Sequence, residues 1–287
     1  MRMSDPVDGF QLAYDRAGGG PGVVLLHGWP GDRRDYQRVV PLLSGAADVV
    51  VPDLRGFGAS DKDWADPGTQ YSADAQARSV AGLIEELGIG PVVLGGYDIG
   101  SRTAQTVARQ RPDLVRALVI TPPVPGVGTR VLGAAAQREF WYQRFHQLPL
   151  SSLLLDGNRD GVRAYLQHFW SHWSGPGYQQ PPAHLEQLAA GYGEPGAFTA
   201  SINWYRSGSG GVARALAETV PDEADRLVTP TTVLWPEFDP LFPREWSDRL
   251  PEFFADATLE HVDGVGHFVP VEAPEAFAAA VTGALTG

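Results

Sequence analysis

Short apolar runs alternate along this chain with segments whose apolar positions recur every three to four residues. The first kind of pattern marks strands and the second marks helices. Val23–Leu26 and Asp48–Val51 read as strands, the first preceded by the turn Gly18-Gly19-Gly20-Pro21-Gly22. Phe10–Tyr14 reads as an earlier strand. Ala73–Leu87 reads as a helix that aligns Val80, Leu83, Ile84 and Leu87 on one face. Val92–Leu94 is the next strand, Ser101–Arg111 the helix after it, and Val115–Ile120 a further strand. This alternation predicts an α/β fold with a mainly parallel sheet flanked by helices.

After Thr121-Pro122-Pro123 the pattern changes. From about residue 124 to about residue 211 the periodicity is helical and aromatic-rich, with no buried-strand pattern, and four of the chain's eight tryptophans fall here: Trp141, Trp170, Trp173 and Trp204. The strand pattern resumes at Thr231–Leu234 and Thr258–Val262, and Ala273–Leu285 reads as a closing helix. The division predicted is a core of residues 1–123 and 214–287, interrupted by a helical insertion of residues 124–213. No internal repeat or low-complexity stretch interrupts this reading.

Composition changes the picture in three places. The net charge of −12 argues against a nucleic-acid partner or an anionic membrane surface. The absence of cysteine excludes disulfides, thiol nucleophiles and thiolate metal sites. Met1–Ala13 lacks the apolar stretch of a signal peptide, and no apolar run approaches a membrane span, so the expected location is the cytoplasm.

Four motifs carry candidate chemistry, in chain order. His27-Gly28-Trp29-Pro30 follows a strand; by itself it also fits an ordinary Gly-Pro turn. Gly96-Tyr97-Asp98-Ile99-Gly100 joins a strand to a helix and puts an acid at the apex. By itself it also fits a turn in which Asp98 caps the helix. A carboxylate with an ordinary pKa of about 4 is an anion near neutral pH. As a nucleophile it suits displacement at a saturated carbon, as in epoxides and alkyl halides. Trp235-Pro236-Glu237-Phe238-Asp239-Pro240 offers Asp239, with Glu237 as second choice, to orient a histidine. Gly264-Val265-Gly266-His267-Phe268 offers His267 as general base. Of the other histidines, His27 belongs to the first motif, His261 to the last strand, and His146, His168, His172 and His184 to the insertion. His168 and His172 have the spacing of a metal pair, but no third ligand is evident and no metal is expected.

These motifs, in the order nucleophile, acid, histidine, resemble the α/β-hydrolase fold enzymes with an aspartate nucleophile, and most closely the epoxide hydrolases. Asp53-Leu54-Arg55-Gly56-Phe57-Gly58-Ala59-Ser60 is similar to a loop typical of that family. Phe140-Trp141-Tyr142-Gln143-Arg144-Phe145 and Asn203-Trp204-Tyr205-Arg206 resemble its two tyrosine segments, placed in a helical cap. The resemblance implies that Asp98 is alkylated by an epoxide while Tyr142 and Tyr205 hydrogen-bond the ring oxygen. His267, oriented by Asp239, then activates water. The backbone N–H groups of Trp29 and Ile99 form the oxyanion hole. No metal or organic cofactor is implied, and the expected partners are a small apolar epoxide and water. Trp141, Phe169, Trp170 and Trp173 are candidates to contact substrate, or else to form the core of the cap.

Two other functions stand beside this one. A haloacetate-type dehalogenase would use the same aspartate, with Arg102 holding a substrate carboxylate; Trp141 and Tyr142 stand where those enzymes carry a His-Trp pair. A non-catalytic ligand-binding member of the fold is the third. Two positions depart from the family pattern: Tyr97 replaces a common histidine, and Ile99 replaces a tryptophan.

Overall fold

A computed structural model describes residues 1–63 and 66–287. One eight-stranded sheet runs in the order β1-β2-β4-β3-β5-β6-β7-β8. Its strands are β1 (Arg2–Met3), β2 (Ala13–Gly18), β3 (Gly22–Leu26), β4 (Asp48–Pro52), β5 (Val92–Gly96), β6 (Val115–Ile120), β7 (Thr231–Pro236) and β8 (Ala257–Val262). The pairs β1–β2 and β2–β4 are antiparallel, and those from β4 through β8 are parallel.

A parallel sheet must be covered on both faces. Accordingly β3, β4 and β5 are buried at every residue. Helix α1 (Ala73–Leu87) packs on α2 (Ile99–Gln110), which lies on β3, β5 and β6. The C-terminal helix (Pro274–Thr286) packs on β5, β6 and β7. At the edge, β8 is exposed along most of its length and carries Glu260 and His261, polar residues that discourage strand addition.

The first strand departs from expectation. Asp8 and Gly9 adopt positive φ, and Phe10 pairs back on Val7 in an isolated bridge. Phe10 then packs against Tyr71 instead of joining the sheet, and the strand begins at Ala13. The strand before Asp98 extends through Gly95 and Gly96, and the closing helix is preceded by a separate helical turn, Val269–Glu272.

Between β6 and β7 the described chain is helical. The helices used below are α3 (Trp141–Gln147), α4 (Pro149–Leu155), α5 (Arg159–Trp173), α6 (Pro182–Tyr192), α7 (Ala197–Arg206) and α8 (Gly211–Leu216). The last runs past residue 213.

The turn from β5 into α2 sets the geometry of everything around it. Asp98 sits at φ 50°, ψ −119°, a conformation costly for any residue with a Cβ. Its side chain makes no capping hydrogen bond, so the simple helix-cap reading fails. The flanking glycines are there for space. A Cβ on Gly96 would lie 2.5 Å from the Gly100 carbonyl carbon, and one on Gly100 would lie 2.0 Å from the Leu26 carbonyl oxygen. Both obstacles are backbone and have nowhere to go. Gly100→Ala is therefore expected to destabilise the protein by about 3 kcal/mol or more, as overpacking against rigid atoms does. Urea unfolding would measure it, and a change below about 1 kcal/mol would show that the turn relaxes freely.

Candidate active site

Sheet order brings the motifs together. β3 lies between β4 and β5, so the chain reverses its direction of winding at β3–β5. Crevices open outside the carboxyl ends of strands at such a point. The residues after β3 and β5 face each other there, with Leu26 opposite Gly96 in the register. The residues after β7 and β8 supply Asp239 and His267 at the same end of the sheet.

The loop after β3 is fixed by its histidine. The Leu54 N–H donates to His27 Nε2 at 3.0 Å, which makes Nε2 the acceptor. The proton is therefore on Nδ1, which donates to the Gly28 carbonyl at 2.9 Å. Gly28 has no room for a side chain, because a Cβ would lie 2.5 Å from Asp98 Cβ. This close approach lets the Trp29 N–H reach Asp98 Oδ1 at 2.7 Å. Ile99 occupies the first position of α2, where N–H groups lack an intrahelical acceptor.

Across from Asp98 is His267, fully buried. Its Nδ1 meets Asp239 Oδ2 at 2.8 Å, and its Nε2 lies 3.5 Å from Asp98 Oδ2. The Leu241 and Phe242 N–H groups fix the other oxygen of Asp239. Burial alone would push the imidazole pKa down, but the two carboxylates outweigh it and raise it to about 10. Glu237, the second-choice acid, instead accepts from the Gly264 N–H at an exposed position.

Behind the turn, the Tyr97 hydroxyl donates to Asp35 Oδ2 at 2.5 Å, and His184 of α6 meets Asp35 Oδ1 at 3.0 Å. Burial and the neighbouring Asp35 carboxylate keep the Tyr97 phenol protonated. Tyr97 thus anchors the residue before Asp98 to a buried carboxylate shared with the covering helices.

Tyr142 of α3 and Tyr205 of α7 line one small cavity with Asp98 and Ile99. Their rings meet edge to face at 5.6 Å. Burial raises both phenols far above their ordinary pKa, so both remain proton donors; Asp98 adds to the effect in each case. Trp29 stacks on Tyr142 and meets Tyr205 edge-on.

The four aromatic contact candidates stand elsewhere and are not among the cavity's lining residues. Trp141 is 42% exposed. Phe169 packs edge-on against Trp29. Trp170 stacks on Phe268 and donates its indole N–H to the Pro30 carbonyl. Trp173 packs against His267 and Tyr142. The lining aromatics are Phe140, Trp204 and Phe242, with Gln143 and Arg102 as polar members. Phe140, Gln143 and Trp204 adjoin the tyrosine motifs, a signal that could have found them; Phe242 arrives through tertiary packing and gives none.

His172 is paired with Glu139 at 2.7 Å, and His168 stacks on it. Among the described residues no group of three or more His, Cys, Asp or Glu side chains is placed to hold a metal ion. No helix among them is long and apolar enough to cross a membrane.

A mainly parallel sheet with this strand order, a tight turn carrying Asp98 after β5 and a buried His–Asp pair beyond it define a class. The profile of the α/β hydrolase fold matches residues 21–274, and the chain belongs to that family. Among curated relatives, a soluble epoxide hydrolase of Corynebacterium sp. (strain C12) is 28% identical over 94% of this chain and 91% of its own length. A fluoroacetate dehalogenase of a Burkholderia species is 31% identical over 67% of this chain and 64% of its own. Among solved structures, one of the epoxide hydrolases from metagenomes of hot environments superimposes with a TM-score of 0.84 at 26% identity, covering 100% of this chain and 98% of that one.

The His267 pairing has a pH signature. Its folded pKa of about 10 lies above the unfolded value of about 6.5. Its contribution to stability is therefore complete below pH 6.5 or so and fades as pH rises through about 10. Ring nitrogen NMR should show imidazolium persisting into that range. Asp98→Asn, which removes one of the two anions, should lower the midpoint; an unchanged midpoint would mean that Asp98 does not act on the ring.

Proposed function

We propose that the protein is an epoxide hydrolase that forms a covalent ester on Asp98, with the helices between β6 and β7 serving as a cap over the site. The observation that carries the reading is the shared cavity of Asp98, Tyr142 and Tyr205, with the His267–Asp239 pair against the same carboxylate. Departing alkoxide is a strong base and needs a proton donor; a halide leaves as a stable anion and does not. Two buried phenols facing a carboxylate supply that need.

In the first step a carboxylate oxygen of Asp98 attacks an epoxide carbon. The C–O bond of the ring breaks as one of Tyr142 and Tyr205 gives its proton to the oxygen and the other hydrogen-bonds it; the phenolate is then reprotonated from solvent. The product is a hydroxyalkyl ester. Esterification removes the negative charge on Asp98, and with it part of what holds the proton on His267. Losing that proton makes His267 a base only after the ester exists. His267, held by Asp239, then takes a proton from water, which attacks the ester carbonyl carbon. The Trp29 and Ile99 N–H groups stabilise the resulting oxyanion, each worth about 3 kcal/mol where such donors have been removed. Collapse breaks the bond to the alkyl oxygen, which takes the proton of the new Asp98 carboxylic acid; the vicinal diol leaves, with Asp98 again a carboxylate and His267 again protonated.

His267→Ala should leave the first step intact, and the protein mass should rise by one substrate mass at single turnover. No adduct would count against the two-step scheme. Replacing Tyr142 or Tyr205 by Phe should slow ester formation about 10²-fold, and replacing both should nearly abolish it.

A second reading rests on Arg102. It lines the Asp98 cavity without a side-chain hydrogen bond or ion pair among the described residues, and burial together with Arg214 lowers its pKa to about 10. Such a group suits a substrate carboxylate, as in a haloacetate dehalogenase. Free halide from monochloroacetate or fluoroacetate, lost in Arg102→Leu, would favour this reading over diol release from epoxides. Saturable binding with neither product would mark a ligand-binding protein.

A further inference from the structure

Gln143 follows Tyr142 on α3, is 5% exposed, and lines the cavity. Its amide bridges two groups. The Val212 N–H, in the first turn of α8, reaches Oε1 at 3.0 Å, and Nε2 reaches the Tyr142 hydroxyl at 3.1 Å. A backbone N–H only donates, so Oε1 must face Val212. The end facing Tyr142 is then the NH₂ group, which also only donates. The Tyr142 oxygen therefore accepts from Gln143, and its own proton must point elsewhere. The opposite orientation would set two N–H donors against each other at Val212. Gly210 leaves space for the amide: a Cβ there would lie 2.8 Å from Oε1.

We infer that Gln143 is a positioning residue that directs the Tyr142 proton. With Gln143 and the Tyr205 hydroxyl both on the Tyr142 oxygen as donors, the Tyr142 proton is left to point into the cavity, and the amide N–H offsets the charge that builds on the phenol oxygen as it donates. The inference deepens the proposed epoxide reading and rests on it.

Gln143→Glu keeps size and shape and makes polarity depend on pH. As a carboxylate, the side chain still accepts from Val212 but also accepts the Tyr142 proton, diverting it from substrate. As a carboxylic acid, it donates to the Tyr142 oxygen as the amide does. The ionisable groups around it are Tyr142 beside it, His146 one turn on, Asp98 and Arg102 of the elbow and α2, Tyr205 of α7, Arg214 on α8, and Glu139 just before α3, which is paired with His172. Burial and the Asp98 charge favour the neutral acid; Arg102 opposes it.

The measurement is the rate of ester formation by rapid quench on a small epoxide, from pH 5 to pH 9, relative to the native protein. The Gln143→Glu rate should be about 10²-fold low at the alkaline end and should recover toward native as pH falls. Gln143→Met, the apolar control of similar shape, should lose activity without recovery. In a Tyr142→Phe background the Gln143→Glu change should add nothing. A native rate at every pH, a loss that does not vary with pH, or an equal further loss in the Tyr142→Phe background would each overturn the inference while leaving the epoxide reading intact. A native protein inactive on epoxides would overturn that reading and this inference with it.

Discussion

The backbone at Asp98 is the constraint from which the site is built. A residue with a side chain is held at positive φ between a buried strand and a buried helix, at a cost of about 1–3 kcal/mol. The surroundings hold it there by leaving no alternative. Gly96 and Gly100 let strand, turn and helix pass within backbone contact of each other, and Gly28 lets the neighbouring loop close to the Asp98 side chain. The Trp29 N–H is brought to the carboxylate by that same closeness. A looser turn would move the carboxylate away from Trp29 and His267 together, since both are fixed by other strands.

The helices that cover Asp98 are tied to the same loop that serves it. Trp170 of α5 bonds the Pro30 carbonyl, Tyr192 of α6 bonds the Gly31 carbonyl, and His184 of α6 pairs with Asp35. Trp29, at the start of that loop, packs against Tyr142 and Tyr205. Position is thus passed from the sheet to the loop after β3, and from there to the two phenols. Burial by the same contacts strengthens each electrostatic interaction inside. Two carboxylates thereby hold a proton on His267 against the desolvation that would remove it.

Much of this was legible in the sequence because it is local. The Gly-x-Asp-x-Gly turn, the strand runs beside it and the acid and histidine after later strands are patterns within a few residues. The structure brings Asp98, His267, Asp239, Tyr142 and Tyr205 to one place, at positions the motifs named. What was not legible is which face of a helix turns inward. Trp141 and Tyr142 are adjacent, yet one is exposed and the other buried. On α5, Phe169, Trp170 and Trp173 read either as substrate contacts or as the core of the cap, and they pack onto Trp29, Phe268 and His267. Periodicity identifies a buried stripe without saying whether protein or ligand fills the space beside it. Phe10 failed for another reason: the turn at Asp8 and Gly9 sends the chain back on itself before the sheet begins.

Ile99 illustrates how a departure from the family pattern is absorbed. The resemblance placed a tryptophan beside Asp98, where this chain has Ile99. Ile99 lines the cavity, but so do Phe140, Trp204 and Phe242, and the volume stays small. The aromatic surface has moved from the turn to the covering helices and the loop after β7. Phe242 also donates its backbone N–H to Asp239, so the residue that narrows the cavity also steadies the acid behind His267. Cavity shape and the His267–Asp239 pair therefore share a support. A change of size at position 242 reaches both, whereas one at position 99 acts beside Asp98 alone.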